Sequence, residues 1–164
     1  MDVFLKQVDI GSRYILDNLF PYYVYDMSEF MGWDPDADGC YTFKVESLDP
    51  YWQAHDHTPY FIYWRDQLAG FVLVRKYPTK QAIFDVEQFF VLRKFKGKGV
   101  GRNAFLQVVD RHPGCWQVRV LKENSGALAF WQSAVSDIVG DDFKIELDND
   151  VDLEMHFIRF DKPI

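Results

Sequence analysis

Apolar and polar positions along the chain follow two periods, one typical of helices and one typical of strands. An apolar stripe over residues 15–20 predicts a helix that Ser12 can cap, and Pro21 is expected to end this helix or to start the next one. Residues 22–31 continue with helical spacing. Residues 32–39 are rich in Gly, Asp and Pro, which predicts a loop.

Runs of β-branched and aromatic residues predict the strands. Two of these runs are separated by a short polar turn and are expected to pair as a hairpin, and the last two are expected to form a closing hairpin. Helical spacing returns after residue 101 and again over residues 124–135, so strands and helices are mixed. The predicted strands cover residues 3–8, 60–64, 68–74, 82–92, 116–121, 143–147 and 153–160.

Length and composition favour one domain over residues 1–164. The chain has 48% hydrophobic and 26% charged residues, contains no internal repeat, and is long enough to bury a single core. It has neither a signal-like N-terminus nor a run of ~20 apolar residues, so we expect a cytoplasmic protein without a membrane span. Cys40 and Cys115 are the only cysteines, which argues against a disulfide framework, and Cys115 is expected to be buried.

Charge is unevenly distributed. The net charge of −7 argues against nucleic-acid binding, because phosphate-driven binding needs a broad basic surface. Residues 93–102, however, hold five basic residues and no acid, which favours a small anionic ligand. His55 and His57 flank Asp56 in a polar segment, but their spacing indicates a loop, and we predict no metal site.

A Gly-rich turn lies between the longest apolar run and a predicted helix. A helix N-terminus exposes backbone N–H groups with partial positive charge, and residues without side chains let a diphosphate approach these groups closely. The nucleotide P-loop does not fit, since Arg102 and Asn103 follow the last glycine, and the Gly-x-Gly-x-Gly spacing does not fit the dinucleotide fingerprint. Three glycines form the turn and three basic residues flank it: Gly97, Gly99, Gly101, Lys96, Lys98 and Arg102.

A second motif lies on the helix downstream of this turn. It has the pattern Asn-x-x-Ala-x-x-aromatic and consists of Asn124, Ala127 and Phe130, followed by Trp131. With this motif and residues 96–101, the chain resembles the GNAT superfamily of acyl-CoA-dependent N-acetyltransferases, whose turn has the signature Arg/Gln-x-x-Gly-x-Gly/Ala. The first signature position is a lysine here, which keeps the charge but not the same hydrogen-bonding group.

The resemblance implies a mixed α/β (α+β) GNAT-type fold, in which a mostly antiparallel twisted sheet splays at the CoA site between flanking helices. It also implies acetyl-CoA as the co-substrate, with the strand before the turn pairing with the pantetheine arm through its backbone. Asn124 can bind the pantetheine or cap its own helix. The expected cofactor-binding residues are Phe90, Val91, Leu92, Lys96, Gly97, Lys98, Gly99, Val100, Gly101, Arg102, Asn124, Phe130 and Trp131.

The resemblance further implies direct transfer of the acetyl group to a primary amine within one ternary complex. An amine with a pKa of ~10.4 must lose a proton, and Glu87 is the candidate general base, on one strand face with Phe89 and Val91 if alternation holds. Asp85 shares that face. Alternatively, Glu87 is a solvated residue or the partner of a nearby cation. Trp131 occupies the position at which relatives often have a Tyr that protonates the departing thiolate. An indole N–H cannot serve as this acid, so no residue is assigned to the role.

The acceptor is expected to bind near the early helix and the loops, where aromatic and acidic residues can hold a cationic amine. The candidates are Tyr25, Asp26 and Glu29, although these side chains can instead belong to the core or to a solvated helix face. The acceptor itself, a small molecule, peptide or protein, is not identified by the sequence. A non-catalytic acyl-CoA sensor is the alternative function, and a homodimer is compatible with both.

Overall fold

The computed structural model describes residues 2–164, which form seven strands and four helices. Every strand and helix predicted from the sequence is present, and the short helix α2 is an addition. The strands are β1 (Val3–Gln7), β2 (His57–Trp64), β3 (Gln67–Tyr77), β4 (Lys80–Val91), β5 (Gly114–Leu121), β6 (Phe143–Asp150) and β7 (Leu153–Lys162). The helices are α1 (Arg13–Met31), α2 (Pro50–Gln53), α3 (Val100–Arg111) and α4 (Ser125–Val139).

All seven strands belong to one sheet, in the order β1-β2-β3-β4-β5-β7-β6. Every neighbouring pair is antiparallel except β4 and β5, which run parallel. The β4–β5 pairing covers only Ile83–Cys115, Phe84–Trp116 and Asp85–Gln117, and the two strands separate beyond it. The expected mixed α/β fold, with a mostly antiparallel sheet that splays at one point, is therefore confirmed.

Each face of the sheet carries its own hydrophobic core. On one face, apolar residues of α1 and α2 pack against β2, β3 and Phe90 of β4. On the other face, α3 and α4 cover Val86 of β4 and a set of buried residues on β5 and β7, namely Trp116, Val118, Val120, Ile158 and Phe160. The second half of α1 extends further, since Met27, Phe30 and Met31 pack against a buried group on β5 and β7. Helix α1 therefore spans the gap between β4 and β5.

Helix α1 runs without a break through Pro21, so the prediction that Pro21 ends or starts a helix is wrong. Proline inside a helix removes one backbone hydrogen bond and costs about 3 kcal/mol. Leu16 and Phe20 before Pro21 and Val24 after it are all buried on one face, and their burial against the sheet offsets that cost. Ser12 holds the N-cap position without a capping side-chain hydrogen bond.

Cys115 is exposed, in contrast to the prediction that it is buried. It is the second residue of β5, and its neighbour Trp116 points into the α3–α4 core, so Cys115 faces the opposite side of the sheet. Its cross-strand neighbour on β7 is the exposed Asp161, whose Oδ1 lies 3.9 Å from the Cys115 Sγ. The strand end is polar at this point, which explains the exposure.

Gly70 sets the approach of β3 to β4 just before β4 ends. A Cβ atom at residue 70 would lie 1.9 Å from the carbonyl oxygen of Phe90, which is closer than any side chain tolerates. We predict that Gly70→Ala destabilises the fold by at least about 2 kcal/mol, because the two strands must move apart. The melting temperature should fall by roughly 4–8 °C.

Gly126→Ala is the matched control for this substitution. Its Cβ would lie 4.0 Å from the nearest heavy atom, and alanine favours the helix α4 in which residue 126 lies. The melting temperature of this variant should stay constant or rise. A Gly70→Ala protein as stable as the wild type would contradict the close strand approach.

Candidate active site

The Gly-rich turn connects β4 to α3. Gly97 and Gly99 both have a φ of +75°, in the left-handed region that favours glycine, and Gly99 is the N-cap residue of α3. Gly101 is needed for a different reason. A Cβ at this position would lie 3.3 Å from the Phe130 ring and 3.5 Å from Phe89, so the absence of a side chain lets α3 pack close to β4 and α4.

The backbone amides of this turn are not used in hydrogen bonds within the part of the chain that the structure describes. Among residues 2–164, no hydrogen bond is donated by the N–H groups of residues 97–102, and the first amide of α3 with a partner is that of Asn103, which donates to the Gly99 oxygen. Open N–H groups at a helix N-terminus bind anions, and the helix dipole favours negative charge there. The turn therefore has the geometry of a diphosphate-binding loop.

Three of the five basic residues near the turn pair with acidic side chains from two helices. Asp26 of α1 pairs with Arg93 at 3.4 Å and with Lys96 at 3.7 Å. Arg102 pairs with Asp137 of α4 and hydrogen-bonds Ser133. These exposed ion pairs are weak, so they orient the cations without neutralising the turn.

Strand β4 has one free edge beyond its short pairing with β5. From Val86 to Val91 its only strand neighbour within residues 2–164 is β3. Phe90 is buried on the α1 face, and the Leu92 amide donates to the Ala69 oxygen at 2.8 Å. Of the expected pantetheine contacts, Phe90 therefore offers its backbone, because its side chain belongs to the core.

The second motif lies on α4, beside the turn. The Asn124 Oδ1 accepts from the Ala127 amide at 3.0 Å, so the capping alternative is observed and the Nδ2 of Asn124 is left for other partners. Phe130 is exposed and lies against Gly101. Trp131 is buried and packs edge-to-face on Phe89 and Phe105, so its side chain supports the site from the core.

A β-bulge in β4 changes the face on which Glu87 lies. Leu73 of β3 pairs with Gln88 and Val74 pairs with Val86, which leaves Glu87 as the extra residue. The expectation that Glu87 shares a face with Phe89 and Val91 is therefore wrong. Those two residues pack against the α3–α4 core, whereas Glu87 contacts Tyr51, which belongs to the core under α1 and α2.

Glu87 belongs to a chain of charged side chains at the point where β4 and β5 separate. Its carboxylate pairs with Arg75 and accepts a hydrogen bond from the Tyr51 hydroxyl at 3.2 Å. Arg75 also donates to Asp85, at 3.2 Å. The alternative in which Glu87 is the partner of a nearby cation therefore describes the structure. Asp85 lies on the same face as Glu87.

Asp85 is fully buried and is the centre of this network. Arg119 of β5 donates to both of its oxygens, at 2.9 and 3.0 Å, and Gln117 donates at 3.2 Å. Arg119 also pairs with Asp150 of β6, which accepts from the Tyr77 hydroxyl at 2.9 Å. The network joins four strands around the splay, and the Oε1 of Gln117 is a buried acceptor without a partner within residues 2–164.

The environment shifts the proton affinities in this network. Burial alone would lower the pKa of Arg119, but the charge and hydrogen bonds of Asp85 outweigh it and raise that pKa, so Arg119 stays charged. Burial raises the pKa of the Tyr51 phenol, and the charge of Glu87 raises it further. Tyr51 therefore acts toward Glu87 as a hydrogen-bond donor and keeps its proton.

The three residues that were expected to bind the acceptor lie in different environments. Tyr25 is exposed and packs edge-to-face on Tyr41 with the ring centres 5.2 Å apart. Glu29 is exposed on α1. Asp26 is paired with Arg93 and Lys96, so its side chain is oriented toward the Gly-rich turn.

Several polar residues near the splay were not singled out from the sequence. They come from four elements that are distant along the chain, and only folding brings them together. Arg119 gives the one usable signal, since a charged residue in the apolar run of β5 indicates a buried partner. The residues concerned are Tyr51, Arg75, Gln117, Arg119 and Asp150.

Comparison with models of known protein families identifies one family. The model of the acetyltransferase (GNAT) family matches residues 22–135, which is well over half of the chain. The chain belongs to the GNAT family of acetyltransferases, and this membership supports an acyltransferase activity. No curated protein matches the sequence.

Solved structures share the fold at low sequence identity. An acetyltransferase from Thermus thermophilus has a TM-score of 0.72 at 14% identity, covering 98% of this chain and 97% of its own. Spermidine N-acetyltransferase from Vibrio cholerae, in complex with CoA and spermine, has a TM-score of 0.68 at 12% identity. The match covers 98% of this chain and 96% of that protein. The PaiA N-acetyltransferase from Thermoplasma acidophilum, in complex with coenzyme A, has a TM-score of 0.66 at 10% identity. The match covers 98% of this chain and 99% of that protein.

Neither a metal-binding cluster nor a membrane-spanning helix is found within residues 2–164. No group of three or more His, Cys, Asp or Glu side chains is arranged to hold a metal ion. None of the helices is long and apolar enough to cross a membrane.

The buried network can be tested by removing its central charge. Asp85→Asn keeps the shape of the side chain but leaves Arg119 and Arg75 without the buried carboxylate, so we predict a loss of about 3 kcal/mol in the free energy of unfolding. Urea denaturation measures this loss. Glu154→Gln removes one partner of the exposed Lys122–Glu154 pair and should change stability far less. Equal losses in both variants would rule out a stabilising role for the buried charge.

Proposed function

We propose that the protein transfers an acetyl group from acetyl-CoA to a primary amine. One observation carries the proposal: the open amides of residues 97–102 and the free edge of β4 form a continuous path that ends at Glu87. The diphosphate binds the amides, with Lys96, Lys98 and Arg102 nearby, and the pantetheine arm lies along β4. From Val91 back to Glu87 this path is roughly 13 Å long, at ~3.3 Å per residue.

The proposed reaction is a direct transfer. The neutral amine nitrogen attacks the thioester carbonyl carbon, a C–N bond forms, the C–S bond breaks, and the CoA thiolate leaves. The proton lost by the amine passes to Glu87, directly or through a water molecule. The thiolate takes its proton from solvent or leaves unprotonated, because a thiol has a pKa of ~8.5 and is a good leaving group near neutral pH.

Arg75 and Tyr51 fix the position of the Glu87 carboxylate. Arg75 forms an ion pair with one of its oxygens. Tyr51 fixes the second carboxylate oxygen. Both contacts place Glu87 at the splay, on the α1 side of the sheet.

The turn can be tested with a pair of glycine variants. Gly99→Val is expected to weaken CoA binding at least tenfold, because a side chain blocks the approach to the amides and disfavours the φ of +75°. Gly32→Val is the control, since Gly32 has a φ of +70° but caps the far end of α1. Calorimetric titration with CoA measures both, and equal affinities for all three proteins would refute the loop assignment.

The base can be tested by Glu87→Gln, which keeps the Tyr51 contact but removes the proton acceptor. We expect kcat to fall by ~10²–10⁴-fold, while the CoA affinity stays within about twofold. Release of free thiol from acetyl-CoA with a panel of amines gives kcat. Glu46→Gln, on an exposed turn, should keep full activity. A Glu87→Gln enzyme with unchanged kcat would show that another group accepts the proton.

A non-catalytic acyl-CoA sensor remains the second candidate function. Two observations favour it: Trp131 stands at the position of the usual acid and is buried, and Glu87 is already paired with Arg75. A sensor binds CoA through the same turn but releases no thiol with any amine. The thiol-release assay therefore separates the two functions.

A further inference from the structure

A second cleft lies on the α1 face of the sheet, on the side away from α3 and α4. Its volume is about 410 Å³, and it is bounded by α1, by the segment that follows α1, and by Gln88 of β4. Gln88 is the next residue after Glu87, and the bulge places both on this face. The cleft therefore opens beside the proposed base.

Aromatic rings form the walls of the cleft. Phe20 lies 4.4 Å from Phe43 and 5.4 Å from Tyr23, measured between ring centres, which fixes the inner wall. Trp33 and Tyr41 complete the lining, and Trp33 is 44% exposed at the mouth. Such a box of aromatic faces attracts cations through the negative potential of the rings.

The polar groups that line the cleft include the Asp34 carboxylate, the Gln88 amide and the Tyr23 hydroxyl. None of these three side-chain groups forms a hydrogen bond or ion pair with another of residues 2–164. Burial raises the pKa of Tyr23, with Arg119 opposing and Glu87 adding to the shift, so this hydroxyl is within electrostatic range of the network at the splay. The cleft thus extends from Asp34 to Gln88, the residue that follows Glu87 in β4.

The charge around the cleft is negative. Residues 14–43 contain six acidic residues and no Lys, Arg or His. Asp17 is paired with Arg13, and Asp26 with Arg93 and Lys96, but Asp34 has no cationic partner among the described residues 2–164. A positively charged ligand would supply the missing partner.

We propose that this cleft binds the acceptor and selects an amine that carries a second positive charge. The second cation contacts Asp34 and the rings of Trp33 and Tyr41, while the reacting amine reaches Glu87. This inference rests on the proposed acetyl transfer. It replaces Tyr25, Asp26 and Glu29 as acceptor residues, and the volume fits a small molecule or a single extended side chain.

The test compares two amines of equal length, 1,5-diaminopentane and 1-aminopentane, at saturating acetyl-CoA. We expect the wild type to prefer the diamine at least tenfold in kcat/KM. Asp34→Asn should reduce this preference to about parity. Asp38→Asn makes the same charge change in the same loop, but its carboxylate has no contact with the cleft, so it should keep the preference.

Calorimetry with 1,5-diaminopentane and the protein saturated with CoA gives a readout that does not depend on turnover. Diamine binding that Asp34→Asn weakens and Asp38→Asn preserves supports the cleft even if no amine is acetylated, in which case only the proposed reaction fails. Equal binding of the two amines together with equal kcat/KM would overturn the proposal. So would an Asp34→Asn protein with the wild-type preference.

Discussion

The structure depends on the buried carboxylate of Asp85, which holds β4 and β5 together at the point where they separate. Arg119 binds both of its oxygens and Arg75 binds one, so two cations from neighbouring strands meet one acid in the interior. Before this point the strands pair, and beyond it they diverge. Separating the buried carboxylate from these partners would leave uncompensated charges in the interior, which is strongly unfavourable. The position of the gap between β4 and β5 is therefore fixed.

The gap gives access to the site from both faces of the sheet. On one face, α3 begins at the Gly-rich turn and α4 lies beside it, which is where we place the cofactor. On the other face, α1 crosses from β4 to β5 and β7, and an aromatic cleft opens next to it. In this account the two substrates approach from opposite sides and meet at Glu87, so neither must leave before the other can bind.

The order of elements and the Gly-rich turn were predictable because both depend on local sequence, namely on periodicity and on residues without side chains. The face of Glu87 was not, since one extra residue in β4 inverts the alternation and a single sequence does not mark where the bulge lies. Pro21 was misread because tertiary packing on both sides of it outweighs its local effect. The partners of Asp26 and Asp85 are distant in sequence and could not be predicted from spacing.

A crystal structure of the protein with bound CoA would locate the diphosphate and the thiol directly. We expect the diphosphate to lie against the amides of residues 97–102, the pantetheine arm to pair with β4 between Val86 and Val91, and the sulfur to lie near Glu87. A diphosphate bound elsewhere, or an arm that does not enter the gap between β4 and β5, would contradict this expectation.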